Sequence, residues 1–214
     1  QHEDAWQTLR ETLEQHTDNT QLLELAAELS QVKGRYGEAD RYLSRALDVA
    51  PDNAALWRRR AMLAGRRLSK EVARQAADKA LELTREKSPQ EQALSLSAHA
   101  HVLSEENHLD KAQEAYRQAL QLNPQCIPAM RGLGQLLMQL GHVEEATALY
   151  EELSKIAPIQ GWSQLIHARE LPDDESVLDR MENAARRPSI EGSVQSNLLF
   201  TLASAWERKG QYDK

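Results

Sequence analysis

A 34-residue periodicity constrains this chain more than any other feature. Ile127 to Pro158 reads as two amphipathic helices joined by a tight turn. Met130, Leu133, Leu137 and Leu140 line the first helix, Gly141 marks the turn, and Ala146, Leu149, Tyr150 and Leu153 line the second. Counting back 34 residues from Pro158 reaches Pro124, and Ala93 to Pro124 repeats the pattern with Leu96, Ala100, Leu103, Ala112, Tyr116 and Ala119. One such hairpin has no means of burying its own apolar face, whereas copies stacked on either side bury it. The order of sizes is steric: small Ala100 or Gly134 admits the second helix, and Tyr116 or Tyr150 fills the space against the next unit.

These residues resemble the tetratricopeptide repeat (TPR), a helix-turn-helix unit with a Trp or Leu, Leu-Gly, Tyr, Ala, aromatic, Ala and Pro signature. The resemblance implies an all-α fold, a right-handed α-α superhelix, running as one solenoid over residues 1–214. His16 to Thr20 and Ala50 to Ala54 are the same turn 34 residues apart, with Asp and Asn placed to cap the following helix. Residues 1–16 then read as the second helix of a partial repeat, followed by whole repeats at 20–53, 54–92, 93–126 and 127–160. Pro51 and Pro124 lie 73 residues apart, five more than two repeats, and the excess is assigned to Glu86 to Gln90, a helix end and turn broken by Pro89.

Residues 161–195 form a divergent repeat, with helices expected at about 162–170 and 175–186 and a break at Pro172-Asp173-Asp174. Residues 196–214 return to register with Leu199, Leu202, Ala203, Trp206, Gly210 and Tyr212 as the start of a further partial repeat. Neither end reads as a polar capping helix and residue 1 is not Met, so the expectation is a fragment of a longer protein.

Scarce glycine and proline and abundant Ala, Leu, Glu, Gln and Arg agree with an all-helical chain. A net charge of −7 argues against nucleic acid as a partner. No apolar run approaches the roughly 20 residues of a membrane span, and no signal peptide is visible, so a cytoplasmic location without membrane contact is expected. Cys126 is the only cysteine, which excludes an internal disulfide and suits a reducing compartment.

Chemistry-bearing patterns are thin. Cys126, flanked by Gln125 and Ile127, reads as a packing or surface residue rather than a nucleophile. His99 and His101 are two residues apart and point in different directions on a helix, while His108, His142 and His167 lie in turns or other repeats. Gly132-x-Gly134 lacks a preceding strand and a third glycine, so it is not a dinucleotide loop. No catalytic, cofactor-binding or metal-ligating residue is assigned, and the segment is not read as an enzyme.

The reading that remains is a protein- or peptide-binding scaffold. In a TPR superhelix the first helices line a concave groove, and the signature offsets place Glu24, Glu28, Arg58, Met62, Ser97, His101, Arg131, Gln135 and Met138 in it. Arg58-Arg59-Arg60 with Arg66-Arg67 is the one dense basic patch. Its residues fan around the helix into solvent, with Arg60 snorkelling, unless Arg58 and Arg131 meet an acidic partner segment. Glu24 and Glu28 stand where the clamp of chaperone-binding TPR domains carries Lys and Asn, so chaperone C-termini are not expected ligands. The protomer is expected to be monomeric or to self-associate weakly through exposed solenoid ends.

A second resemblance covers about residues 175–214. LDRMENAARRPSIEG, then Leu199-Phe200-Thr201-Leu202-Ala203, Trp206 and Gly210-Gln211-Tyr212-Asp213, is similar to the linker and last repeat of bacterial proteins in which TPRs precede a sulfotransferase domain. Thr201 departs from the usual Ala. That resemblance implies a catalytic domain beyond residue 214 and places none of its site residues here.

Overall fold

The computed structural model describes residues 2–67, 69–167, 175–186 and 192–211. These fall into two compact units, one up to Cys126 and one from Ile127 onward. Among the described residues all regular structure is helical.

The first unit holds α1 (His2–Gln15), α2 (Thr20–Val32), α3 (Tyr36–Val49), α4 (Ala54–Arg67), α5 (Lys70–Thr84), α6 (Pro89–Glu105) and α7 (Leu109–Leu122). Helices α2, α4 and α6 each pack on their successor, and α4 also packs on α6. The Asn19 side chain accepts from the backbone N–H groups of Gln21 at 3.0 Å and Leu22 at 3.1 Å, and Asn53 does the same for Ala55 at 3.0 Å. Two of the orphan donors at a helix start are satisfied in this way at α2. Alanines 26, 46, 61, 64, 73, 77, 80, 93, 100, 112 and 119 are wholly buried or nearly so, and their small size sets the close spacing of the helices.

Pro89 does not break a helix as expected; it begins one. Its missing N–H falls where a helix has no use for it, and Ser88 Oγ accepts from Glu91 N–H at 3.3 Å. The five-residue excess is taken up inside helices. Helix α5 has 15 residues against 14 in α3 and α7, and α6 has 17 against 13 in α2 and α8. Gln92 Nε2 donates to the carbonyls of Arg85 at 3.2 Å and Lys87 at 2.9 Å, satisfying acceptors just beyond the end of α5.

The second unit holds α8 (Ile127–Gln139), α9 (Val143–Ile156), α10 (Pro158–His167), α11 (Glu175–Ala185) and α12 (Gly192–Arg208). Helix α9 ends before Pro158, which itself starts the next helix, and only Ala157 separates α9 from α10. So short a connection brings the two helices close, and a β-carbon on Gly161 would lie 2.7 Å from Ser154 Cβ and closer still to its backbone. The helix expected at about 162–170 therefore begins earlier, at Pro158, and is described as far as His167, with Trp162 and Leu165 buried. Pro172-Asp173-Asp174 lies outside the described residues. Leu178, Met181 and Leu198 are fully buried where α11 packs on α12, and Gln195 Nε2 donates to the Ala185 carbonyl at 2.7 Å.

The turns between paired helices need left-handed backbone. Gly34, Asn107, Gly141 and Gly210 hold φ of 72°, 65°, 83° and 70° at equivalent places in the register. Leu68, at that place in the second repeat, lies outside the described residues.

Candidate functional site

Six of the nine expected groove residues belong to the first unit and three to the second. On α2, Glu24 lies 3.5 Å from Arg59 Nε, and the more exposed Glu28 accepts from Arg59 Nη1. On α4, Met62 is partly exposed at the edge of a hollow of about 190 Å³, which is also lined by Ala27, Gln31, Ala39, Leu43 and Leu63. Arg58 turns toward α6 and donates to Ser95 Oγ at 3.3 Å. Burial pulls its pKa below the ordinary arginine value, with Glu91 and then Cys126 acting in the opposite sense.

On α6 the outcome is mixed. Ser97 is 3% exposed, on a helix packed against α4, α5 and α7, so the position expected to face a partner is closed. A small side chain there favours close helix approach over contact with a ligand. His101 is mostly buried, with Nε2 3.9 Å from Glu105 Oε1. In the second unit Arg131 and Met138 are half-buried, and exposed Gln135 donates to Gln164 Oε1 of α10 at 3.2 Å.

The arginine run is not the solvated cluster expected. Arg58, Arg59 and Arg60 are each about 100° further round α4 and meet α6, α2 and α3 respectively. Arg60 Nε binds Asp40 Oδ1 at 2.9 Å with both side chains about three-quarters covered, so it is ion-paired rather than snorkelling. The side chains of Arg66 and Arg67 lie outside the described ones. Arg59 and Ser95 are not among the groove residues expected from sequence. The usable signal is an acid and a base about one repeat apart, since such residues sit on neighbouring first helices.

Other polar clusters are structural. Arg74 donates to Glu106 Oε1 from Nε at 3.2 Å and Nη2 at 2.9 Å, which ties α5 to the turn after α6 and raises the arginine pKa. His99 Nε2 lies 3.4 Å from Asp78, and burial holds its pKa down against that carboxylate. Cys126 is buried. Among the described residues no group of three His, Cys, Asp or Glu is placed to hold a metal ion, and no helix is long and apolar enough to cross a membrane.

A family model described as tetratricopeptide repeat matches residues 103–160. The human protein O-mannosyl-transferase TMTC1 is 26% identical over 181 residues, which is 85% of this chain and 20% of that protein; the chain thus spans about a fifth of its length. Among solved structures, yeast Tom70 is similar with a TM-score of 0.66 at 18% identity, over 96% of this chain and 44% of that one. A tetratricopeptide repeat protein from Parabacteroides merdae is similar with a TM-score of 0.67 at 17% identity, over 94% and 78%. PilF from Pseudomonas aeruginosa gives 0.58 at 16%, over 99% and 87%. Together with the recurring 34-residue helix pairs, these likenesses give the chain the all-α fold of a tetratricopeptide-repeat solenoid.

Proposed function

We propose that this chain is a protein- or peptide-binding scaffold whose partner contacts lie on its first helices. The observation that carries the reading is the first-helix face of unit one, where Glu28, Arg59 and Met62 edge an apolar hollow and Arg58 stands beside them. A mixed surface of this kind suits an extended polypeptide, which supplies side chains of several sorts at once. Arg131, Gln135 and Met138 are the corresponding proposal for unit two. A location in the cytoplasm goes with the lone, buried Cys126.

The test is capture of partners on the immobilised protein with Arg58→Glu and Arg131→Glu variants. Binding falls at least tenfold while circular dichroism stays unchanged. Retention at wild-type level puts the contact on the second helices or the ends and ends this reading. Weak self-association has support in Leu199 and Phe200, which are 48% and 77% exposed on α12. A sedimentation mass constant over a hundredfold concentration range removes it.

A second reading makes the chain an accessory arm of a sulfotransferase whose catalytic domain lies beyond residue 214. Its support is the resemblance over about residues 175–214 to sulfotransferase-linked repeats. Tyr212 and Asp213, which complete that resemblance, lie outside the described residues. Sequencing the parent gene past Lys214 decides it: a following α/β domain that opens on a phosphate-binding loop supports the arm, and further repeats ending in a polar helix refute it.

A further inference from the structure

The first-helix face of unit one carries its charges in a spatial order. Arg60 is neutralised by Asp40. Arg59 lies between Glu24 and Glu28, which leaves one negative charge in excess over α2, with Glu28 about half exposed. Arg58 turns the other way and donates to the neutral hydroxyl of Ser95; Glu91 acts on its charge from beyond ion-pair distance, and among the described residues no carboxylate lies within that distance. A guanidinium presents five N–H donors in a planar fork, and one hydroxyl occupies one of them. A carboxylate takes two at once and cancels the charge, which is worth more in a partly dehydrated setting than in water. Between the two ends, nearer Glu28, lies the hollow edged by Met62.

We infer that this face accepts an extended peptide with an acidic side chain on Arg58, an apolar side chain in the Met62 hollow, and a lysine or arginine against Glu28. The inference rests on the peptide-binding reading and deepens it. One helix spacing of about 8–10 Å separates the Glu28 and Arg58 helices and an extended chain rises by about 3.3 Å per residue, so base and acid fall roughly three residues apart, with the apolar residue nearer the base.

The experiment is selection of a random dodecapeptide display library on the 214-residue chain, repeated on Met62→Glu. The leading peptides are then measured by fluorescence polarisation, together with their acid-to-Gln and base-to-Gln forms. Peptides that depend on Met62 carry a base, an apolar residue and an acid, with the apolar residue nearer the base. Acid-to-Gln replacement weakens them at least fivefold on the wild type but not on Arg58→Met. Peptides that depend on Met62 yet carry no such charges, or bind equally after acid-to-Gln replacement, overturn the inference and leave the scaffold reading in place. If no selected peptide responds to Met62→Glu, the scaffold reading of this face falls and the inference falls with it. The peptide-side replacements need no altered protein, so a variant that folds poorly does not protect the inference.

Discussion

The ring of Tyr150 occupies the space that a β-carbon on Gly134 would need. Such an atom would lie 2.7 Å from the ring Cζ and 3.0 Å from Cδ1, well inside van der Waals contact. Helices α8 and α9 approach closely here because one residue has no side chain and its neighbour fills the resulting groove. Gly134→Ala is therefore expected to destabilise the chain by about 1–3 kcal/mol, and Gly134→Leu by more. Thermal unfolding followed by circular dichroism measures this. An unchanged midpoint contradicts the assigned register of the pair.

Gly161 meets a harder obstacle. A β-carbon there runs into the backbone of Ser154, which has no rotamer by which to withdraw. Gly161→Ala is expected to cost at least as much as Gly134→Ala, on the order of 2–3 kcal/mol, with the loss confined to the second unit. Hydrogen exchange of α9 and α10 amides, compared with α2 and α3, reads that localisation.

Tyr150 makes stability depend on alkaline pH. Burial pushes its pKa up from 10.0 to about 12. The unfolded chain releases this proton first, so the contribution is fully present below pH 10 and is lost as pH rises from 10 toward 12. A rise of that size corresponds to roughly 2–3 kcal/mol. Tyr150→Phe should flatten that part of the stability curve, and a variant curve parallel to the wild type above pH 10 excludes the assignment.

The Arg60–Asp40 pair joins α4 to α3 across a repeat boundary. Both side chains retain about a quarter of their exposure, so the coupling lies between the surface and buried limits, about 1–2 kcal/mol. A double-mutant cycle with Arg60→Met and Asp40→Asn measures it. Arg35→Met with Glu38→Gln, an exposed pair within one turn at 3.7 Å, is the reference and should give less than about 0.5 kcal/mol.

Much of this architecture is written locally. Asn19 and Asn53 cap their helices because an amide oxygen one residue before a helix reaches its free N–H groups whatever else surrounds it. Gly34, Gly141 and Gly210 take left-handed backbone because the turn demands it. Pro89 misleads because a proline excludes helix only from its interior. At the first helical position it is favoured, and sequence spacing alone does not distinguish the two places.

The candidate site is legible in part. Of the residues picked out by repeat offset, Glu28 and Met62 line one hollow and Glu24 meets the same Arg59 as Glu28, whereas Arg58 turns to Ser95 on α6. Ser97 follows from the same rule and is buried.

From its residues alone, this chain determined that it is helical, that its helices pair every 34 residues, and where small residues must stand, since periodicity and side-chain volume act within one or two turns. Only the tertiary structure decided that three adjacent arginines serve three different helices, that Ser97 is covered, and that Arg58 is left facing a hydroxyl. Those outcomes depend on segments up to a repeat length or more apart, whose spacing follows from packed volume rather than from local pattern.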